Sequence, residues 1–201
     1  MANFKTAFIV TSGHEGGYAN DPADSGGETY KGISRNNFPN WAGWKIIDLV
    51  KKQIGFVHTA VSIDKLNHVL ASDLHVEDLV EGFFKVNFWD VNKLDFVTSQ
   101  AIANELYDTG VNMGTGVAAR FLQEALNLCN KNGKLYANIT VDGKIGNQTL
   151  NTLLKAPQSA VLCTLNLLQG EKYLNIMRNK ETQEKFWQSW LSRVFVTGKW
   201  I

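Results

Sequence analysis

Apolar residues recur at helical spacing along most of the chain. Phe4, Ala7, Phe8 and Thr11 stand three and four apart, which predicts a short amphipathic helix over Asn3 to Gly13. Trp41, Trp44, Ile47 and Val50 predict a second, ending before Gly55, in which the Trp pair serves core packing or sugar stacking. Leu66, Val69, Leu70, Leu74, Leu79, Val80, Phe83 and Phe84 keep the period from Asp64 to Asn87, and a break at Ser72 to His75 divides that stretch into two helices. Ser99 to Val111 carries Ile102, Ala103, Leu106 and Thr109 on one side. Gly114 and Gly116 then turn the chain into Val117 to Cys129, striped by Val117, Phe121, Leu122, Ala125, Leu126 and Cys129. Residues 130 to 145 are polar and contain Asn132-Gly133 and Asp142-Gly143, so a loop or short hairpin is expected. Thr149 to Leu154, Ser159 to Met177 and Thr182 to Val196 complete a mainly α protein. No repeat or linker divides it, and the best boundary, near Gly114, is a change of motif rather than of composition.

The helical period is interrupted by residues 14 to 34, His-Glu-Gly-Gly-Tyr-Ala-Asn-Asp-Pro-Ala-Asp-Ser-Gly-Gly-Glu-Thr-Tyr-Lys-Gly-Ile-Ser. Glu15 stands where the first helix gives way to a glycine-rich loop or small hairpin, a mounting that can back a carboxylate with apolar side chains and turn it to an open groove. Such surroundings raise a carboxyl pKa enough for acid catalysis. Nine residues later stands Asp24, which is either a second acidic group for that groove or the cap of an Asp turn at Ser25-Gly26. Asp108 and Asn112 lie four apart on one predicted helix face, with Glu105 and Asn104 a turn earlier. That polar strip fits a cleft wall, a surface stripe or, at Asn112, a helix end before Gly114.

The run Glu15-Gly16-Gly17-Tyr18, Asn20-Asp21-Pro22, Asp24, Gly26-Gly27, Thr29 and Gly32-Ile33 continues through Phe88-Trp89-Asp90, Asp108 to Gly114, Leu122-Gln123 and Asp142 to Gly146. Across nearly the whole chain it resembles glycoside hydrolase family 108. The resemblance implies an N-acetylmuramidase with a lysozyme-like helical fold and a C-terminal peptidoglycan-binding region, of a type often encoded by prophages as an endolysin and sometimes labelled a secretion activator. It implies a catalytic region over residues 1–114 and a peptidoglycan-binding-like region over residues 115–201, expected to pack as one body. Glu15 then serves as general acid on the bond from N-acetylmuramic acid to N-acetylglucosamine. Asp24 and Thr29 are similar to the Asp and Thr of phage lysozymes, with Thr29 one residue early for that layout. Tyr18, Tyr30, Asp108 and Asn112 are the substrate-binding candidates, although either Tyr can instead pin the loop. A lytic transglycosylase acting on the same bond, and a non-catalytic wall-binding or secretion-regulating protein, are the alternatives. Around Asp142 to Gly146 every motif residue can also be explained by folding alone. Asp142-Gly143 makes a tight turn, Ile145 plugs the core and Gly146 enters the next helix, with Asn147 or Gln148 near the helix start.

Composition narrows the rest. The chain has 201 residues, 44% of them hydrophobic, and a formal charge of +1, so it can bury a core and carries no strong field aimed at nucleic acid. A peptidoglycan partner is compatible with this balance, and no residue pattern sets an oligomeric state. His14, His58, His68 and His75 show no zinc-ligand spacing, and Cys129 and Cys163 fall in apolar helical patterns that fit free, buried, inert thiols, with a disulfide as the alternative, so no metal or organic cofactor is expected. The N-terminal apolar run is too short for a signal peptide and no run is long enough to span a membrane. The expected life history is synthesis in the cytoplasm and action on the cell wall after export or lysis.

Overall fold

The break predicted at Ser72 to His75 is present in the computed structural model, which describes residues 1–12, 16–20 and 26–195. In chain order the elements are α1 (Phe4–Ser12), β1 (Tyr18–Asn20), β2 (Glu28–Tyr30), β3 (Ile33–Ser34), α2 (Gly43–Ile54), α3 (Ala60–Ala71), α4 (Leu74–Phe84), α5 (Gln100–Met113), α6 (Thr115–Leu128), α7 (Asn147–Lys155), α8 (Gln158–Asn179) and α9 (Trp187–Phe195). Short π-helical (Lys85–Asp90) and 3-10 (Leu94–Phe96, Glu181–Phe186) turns join some of them. This is a mainly helical, lysozyme-like fold. It has two compact units, Ser12–Val86 and Met1–Thr11 with Asn87–Ile201.

In the unit Ser12–Val86, α2 buries Trp44, Ile47 and Val50, α3 buries Leu66 and Leu70, and α4 buries Val76, Val80 and Phe84. These are the one-sided stripes that the apolar period demands. Asp73 sets the division between α3 and α4, because its carboxylate accepts the amides of His75 (2.9 Å) and Val76 (3.3 Å). The helix α3 starts earlier than expected. Its first turn is capped by Thr59 Oγ1, which accepts from the Ser62 amide at 3.3 Å, and it carries no buried residue to set a period. Trp41 and Trp44 pack edge to face, 5.2 Å between centroids, and donate their ring N–H groups to the carbonyls of Leu79 and Phe38, so this pair serves the core.

In the other unit, Trp89 of the Phe88-Trp89-Asp90 motif is fully buried among Phe4 (5.6 Å) and Tyr107 (6.0 Å), and its ring N–H donates to Asp95 at 2.8 Å. The helix α5 packs against α6 and α8, and Ala103, Leu106 and Gly110 of α5 and Ala118 and Leu122 of α6 are buried. The helices on either side of Gly114 thus share one packing unit. Residues 130 to 146 form a loop held by polar side chains of α6. Asn127 grips both the N–H and the C=O of Ile139 at 2.8 Å, and Tyr136 donates to the Leu126 carbonyl. The helix expected over Thr182 to Val196 divides into a 3-10 turn and α9. Both cysteines are free, but neither is buried: Cys129 is half-buried and Cys163 is exposed. Cys163 lies two residues from both Val161 and Leu165, the buried positions of α8, and therefore on the opposite side of that helix.

Candidate active site

Glu15 and Asp24 lie outside the described residues, so the site is built from what surrounds them in the chain. The strands β1, β2 and β3 form an antiparallel sheet in that order, with Tyr18 opposite Tyr30, Ala19 opposite Thr29, Asn20 opposite Glu28, and Thr29 opposite Ser34. The sheet carries the loop or hairpin expected of the segment, with a third strand added by Ile33 and Ser34. Thr29 sits on the middle strand, where its hydroxyl donates a long 3.4 Å bond to the Ala19 carbonyl.

The backbone just after Glu15 is clamped by a residue that sequence reasoning missed. Asn67 of α3 accepts the Tyr18 amide on Oδ1 at 2.6 Å. The carboxamide lies so close over Gly17 that a Cβ there would collide with Oδ1, which explains the glycine. Asn67→Ala is therefore expected to leave the Tyr18 amide without its partner and to lower stability by about 1 to 3 kcal/mol. Urea unfolding of the variant, with hydrogen exchange at Tyr18, checks this; an unchanged midpoint and an unchanged exchange rate would remove the clamp.

Tyr18 and Tyr30 are both buried, at 4% and 1% exposure, and their rings are used by the protein. Tyr18 packs edge to face on Phe56 (5.5 Å) and its hydroxyl accepts from Lys51 Nζ at 2.8 Å, while Tyr30 lies nearly parallel to Trp41. Burial raises the Tyr18 pKa, and the Lys51 hydrogen bond opposes that rise. Of the two uses open to these residues, pinning the loop is the one their contacts display. Around them a charge network joins the sheet to α2: Lys51 pairs with Glu28, Arg35 with Glu28 (2.6 Å) and with Asp48, and Arg35 lies over the Trp44 ring. Lys31, in the turn from β2 to β3, binds both carboxylate oxygens of Glu77 on α4 at 2.6 Å.

The polar strip of α5 faces inward at Glu105 and Asp108. Asp108 accepts from Arg193 of α9 at 2.8 Å and from Gln169 of α8 at 3.0 Å, so both oxygens are engaged inside the second unit. Asn112 is exposed and donates back to the Asp108 carbonyl (2.8 Å) and carboxylate (3.2 Å). Glu105 is 3% exposed and accepts only a 3.3 Å bond from Thr109 among its described contacts. Burial first, then the Asp108 charge, pushes its carboxyl up to about 8. Among the described residues no group of three or more His, Cys, Asp or Glu side chains is placed to hold a metal, and no helix is long and apolar enough to cross a membrane.

In the Asp142 to Gly146 segment, Gln123 is the hub. From its buried place on α6 it donates to Asp142 Oδ1 (2.7 Å) and the Lys144 carbonyl (3.1 Å), and it accepts the Gly143 amide (2.8 Å). Ile145 plugs the core at 4% exposure. The signal in the sequence was a pair of carboxamides, Gln123 and Asn127, four apart beside an apolar stripe.

A family model described as "Glycosyl hydrolase 108" matches residues 8–114, and one described as "Predicted Peptidoglycan domain" matches residues 117–195. Among solved structures, that of Brucella abortus SagA is similar, with 21% identity and a TM-score of 0.57 over 95% of this chain and 88% of that chain, a likeness of fold. No protein of curated function matches. The first family model covers more than half of the chain, and the second adds a peptidoglycan domain behind it. On these matches the chain belongs to the glycosyl hydrolase 108 family and is a glycoside hydrolase directed at peptidoglycan.

Proposed function

We propose that the chain is an N-acetylmuramidase that hydrolyses the bond from N-acetylmuramic acid to N-acetylglucosamine, with Glu15 as general acid. The observation that carries this reading is the family match over residues 8–114, which contains the Glu15-Gly16-Gly17-Tyr18 motif. Glycoside hydrolysis needs a proton donor for the leaving oxygen and a second group that activates water or stabilises an oxocarbenium-like centre. Asp24 takes the second role with Thr29 helping to hold water, because the carboxylate of Asp108 is committed to Arg193 and Gln169. A separation of about 6.5 to 9.5 Å between the two carboxyl groups would give inversion at the anomeric carbon. Asn112, exposed on α5, is the remaining substrate-binding candidate with a side chain at the surface. The working place is the cell wall, reached after export or lysis.

Purified sacculi test this reading. Loss of turbidity with new reducing N-acetylmuramic ends is expected, unaffected by EDTA. Anhydro-muramic products would instead establish a lytic transglycosylase, and sedimentation with sacculi without any cleavage would establish a wall-binding protein. Inhibition by EDTA that zinc reverses would overturn metal-free acid catalysis.

A further inference from the structure

We infer that the unit Asn87–Ile201 carries a site for the carboxylates of peptidoglycan stem peptides. The inference rests on peptidoglycan being the substrate and extends it from the glycan to the peptide. A cavity of about 380 Å³ is lined by Val91, Asn92, Lys93, Thr115, Lys144 and Ile145. It joins the segment before α5 to the turn that precedes α7, so both family-matched regions contribute walls within one packing unit. Two lysines line it, and a third cation lies against its glycines. The Arg120 guanidinium is placed so that a Cβ on Gly143 would fall 2.9 Å from Nη1, and one on Gly116 would fall 3.7 Å from Nη2. Gly143, at φ +75°, thus has two reasons to be glycine, the left-handed turn and the approach of Arg120.

Lys93, Arg120 and Lys144 are all exposed, and none forms an ion pair with a described carboxylate. The nearest acid of the turn, Asp142, is held on Oδ1 by the Gln123 amide group and the Lys144 backbone N–H (2.9 Å), and its charge offsets part of that of Lys144. Three cations stand around one cavity against the single nearby carboxylate of Asp142, an excess that leaves the local potential positive in a chain whose formal charge is only +1. The starts of α6 and α7, at Thr115 and Asn147, lack side-chain caps and add to the same sign. Exposed Val91 beside the lysines offers a small apolar contact of the size of an alanine methyl.

The glycan strand of peptidoglycan is built from neutral N-acetylated sugars, whereas its stem peptides carry free carboxylates and alanine methyls. A cationic cavity with one apolar wall therefore selects the peptide. Charge-assisted hydrogen bonds from lysine to carboxylate give the affinity, weakened by salt because the site is open.

Titration of the wild-type chain with a soluble stem tetrapeptide, followed by amide NMR, tests this without any bond being cut. The peptide is expected to shift the amides of Gly116, Gly143 and Lys144, and the double variant Lys93→Gln with Lys144→Gln is expected to bind it at least ~10-fold more weakly, since each lost charged hydrogen bond is worth roughly a tenfold factor or more. A neutral N-acetylglucosamine tetramer should leave those amides unmoved. Unchanged affinity in the double variant, or shifts confined to other residues, would overturn the site. Inorganic phosphate binding as tightly as the peptide would overturn the carboxylate assignment in favour of an unselective anion patch. The sacculus assay remains independent: cleavage without peptide binding sinks this inference alone, and peptide binding without cleavage sinks the muramidase reading alone.

Discussion

Glu15→Gln is expected to leave the chain folded and to lower turnover on purified peptidoglycan by at least ~10², because an amide of the same shape cannot give a proton to the leaving oxygen. Folding should be indifferent to the change, since glutamine keeps the shape of glutamate and the neighbouring residues are fixed by contacts of their own. Tyr18 is held by the Asn67 clamp, by Phe56 and by Lys51, and α1 is anchored through Phe4. Circular dichroism and the urea midpoint should therefore match those of the wild type while reducing-end release collapses. A variant that still cleaves at the wild-type rate would take Glu15 out of the mechanism. The Asn67→Ala change gives the complementary pattern, lost stability with the acid still present.

What could be read in the sequence was whatever repeats locally. The apolar period of α5 and α6 is visible because Ile102, Ala103 and Leu106, then Ala118, Leu122 and Ala125, meet one continuous core. The division at Asp73 is equally local, since a cap acts within three residues. Long-range partners leave no such trace. Asn67 acts on an amide 49 positions away, and Arg193 on a carboxylate 85 positions away. A polar pair four apart on a helix reads the same whether it faces water or an arginine of another helix, which is why Asp108 was open to a cleft-wall reading. Cys163 shows the opposite failure, an apolar stretch in which one thiol faces outward. Glu15 is a candidate for a different reason: in the sequence a carboxylate between a predicted helix end and two glycines is a local arrangement, and the family motif falls on it residue by residue.

The buried carboxyl of Glu105 makes stability depend on pH in a direction opposite to that of an ordinary paired acid. Its pKa is raised to about 8 in the folded chain, chiefly by burial and then by the Asp108 charge that Arg193 and Gln169 hold in place. In the unfolded chain it returns to the normal glutamate range near 4.3. Between these values the folded state binds the extra proton, so stability falls as pH rises through the window from about 4.3 to about 8, and is complete only below it. A shift of this size corresponds to a loss on the order of a few kcal/mol. Glu105→Gln keeps the shape and the oxygen that accepts from Thr109, yet has no charge to bury. The variant is expected to match the wild type near pH 4, to exceed it by a few kcal/mol at pH 9, and to show a flatter profile between, since other titrating groups contribute equally to both chains. Urea unfolding of both proteins at half-unit steps of pH gives the difference curve directly. Parallel profiles would mean that Glu105 is not desolvated as its buried place on α5 requires, and a difference opening below pH 4 instead of above it would reverse the sign of the linkage.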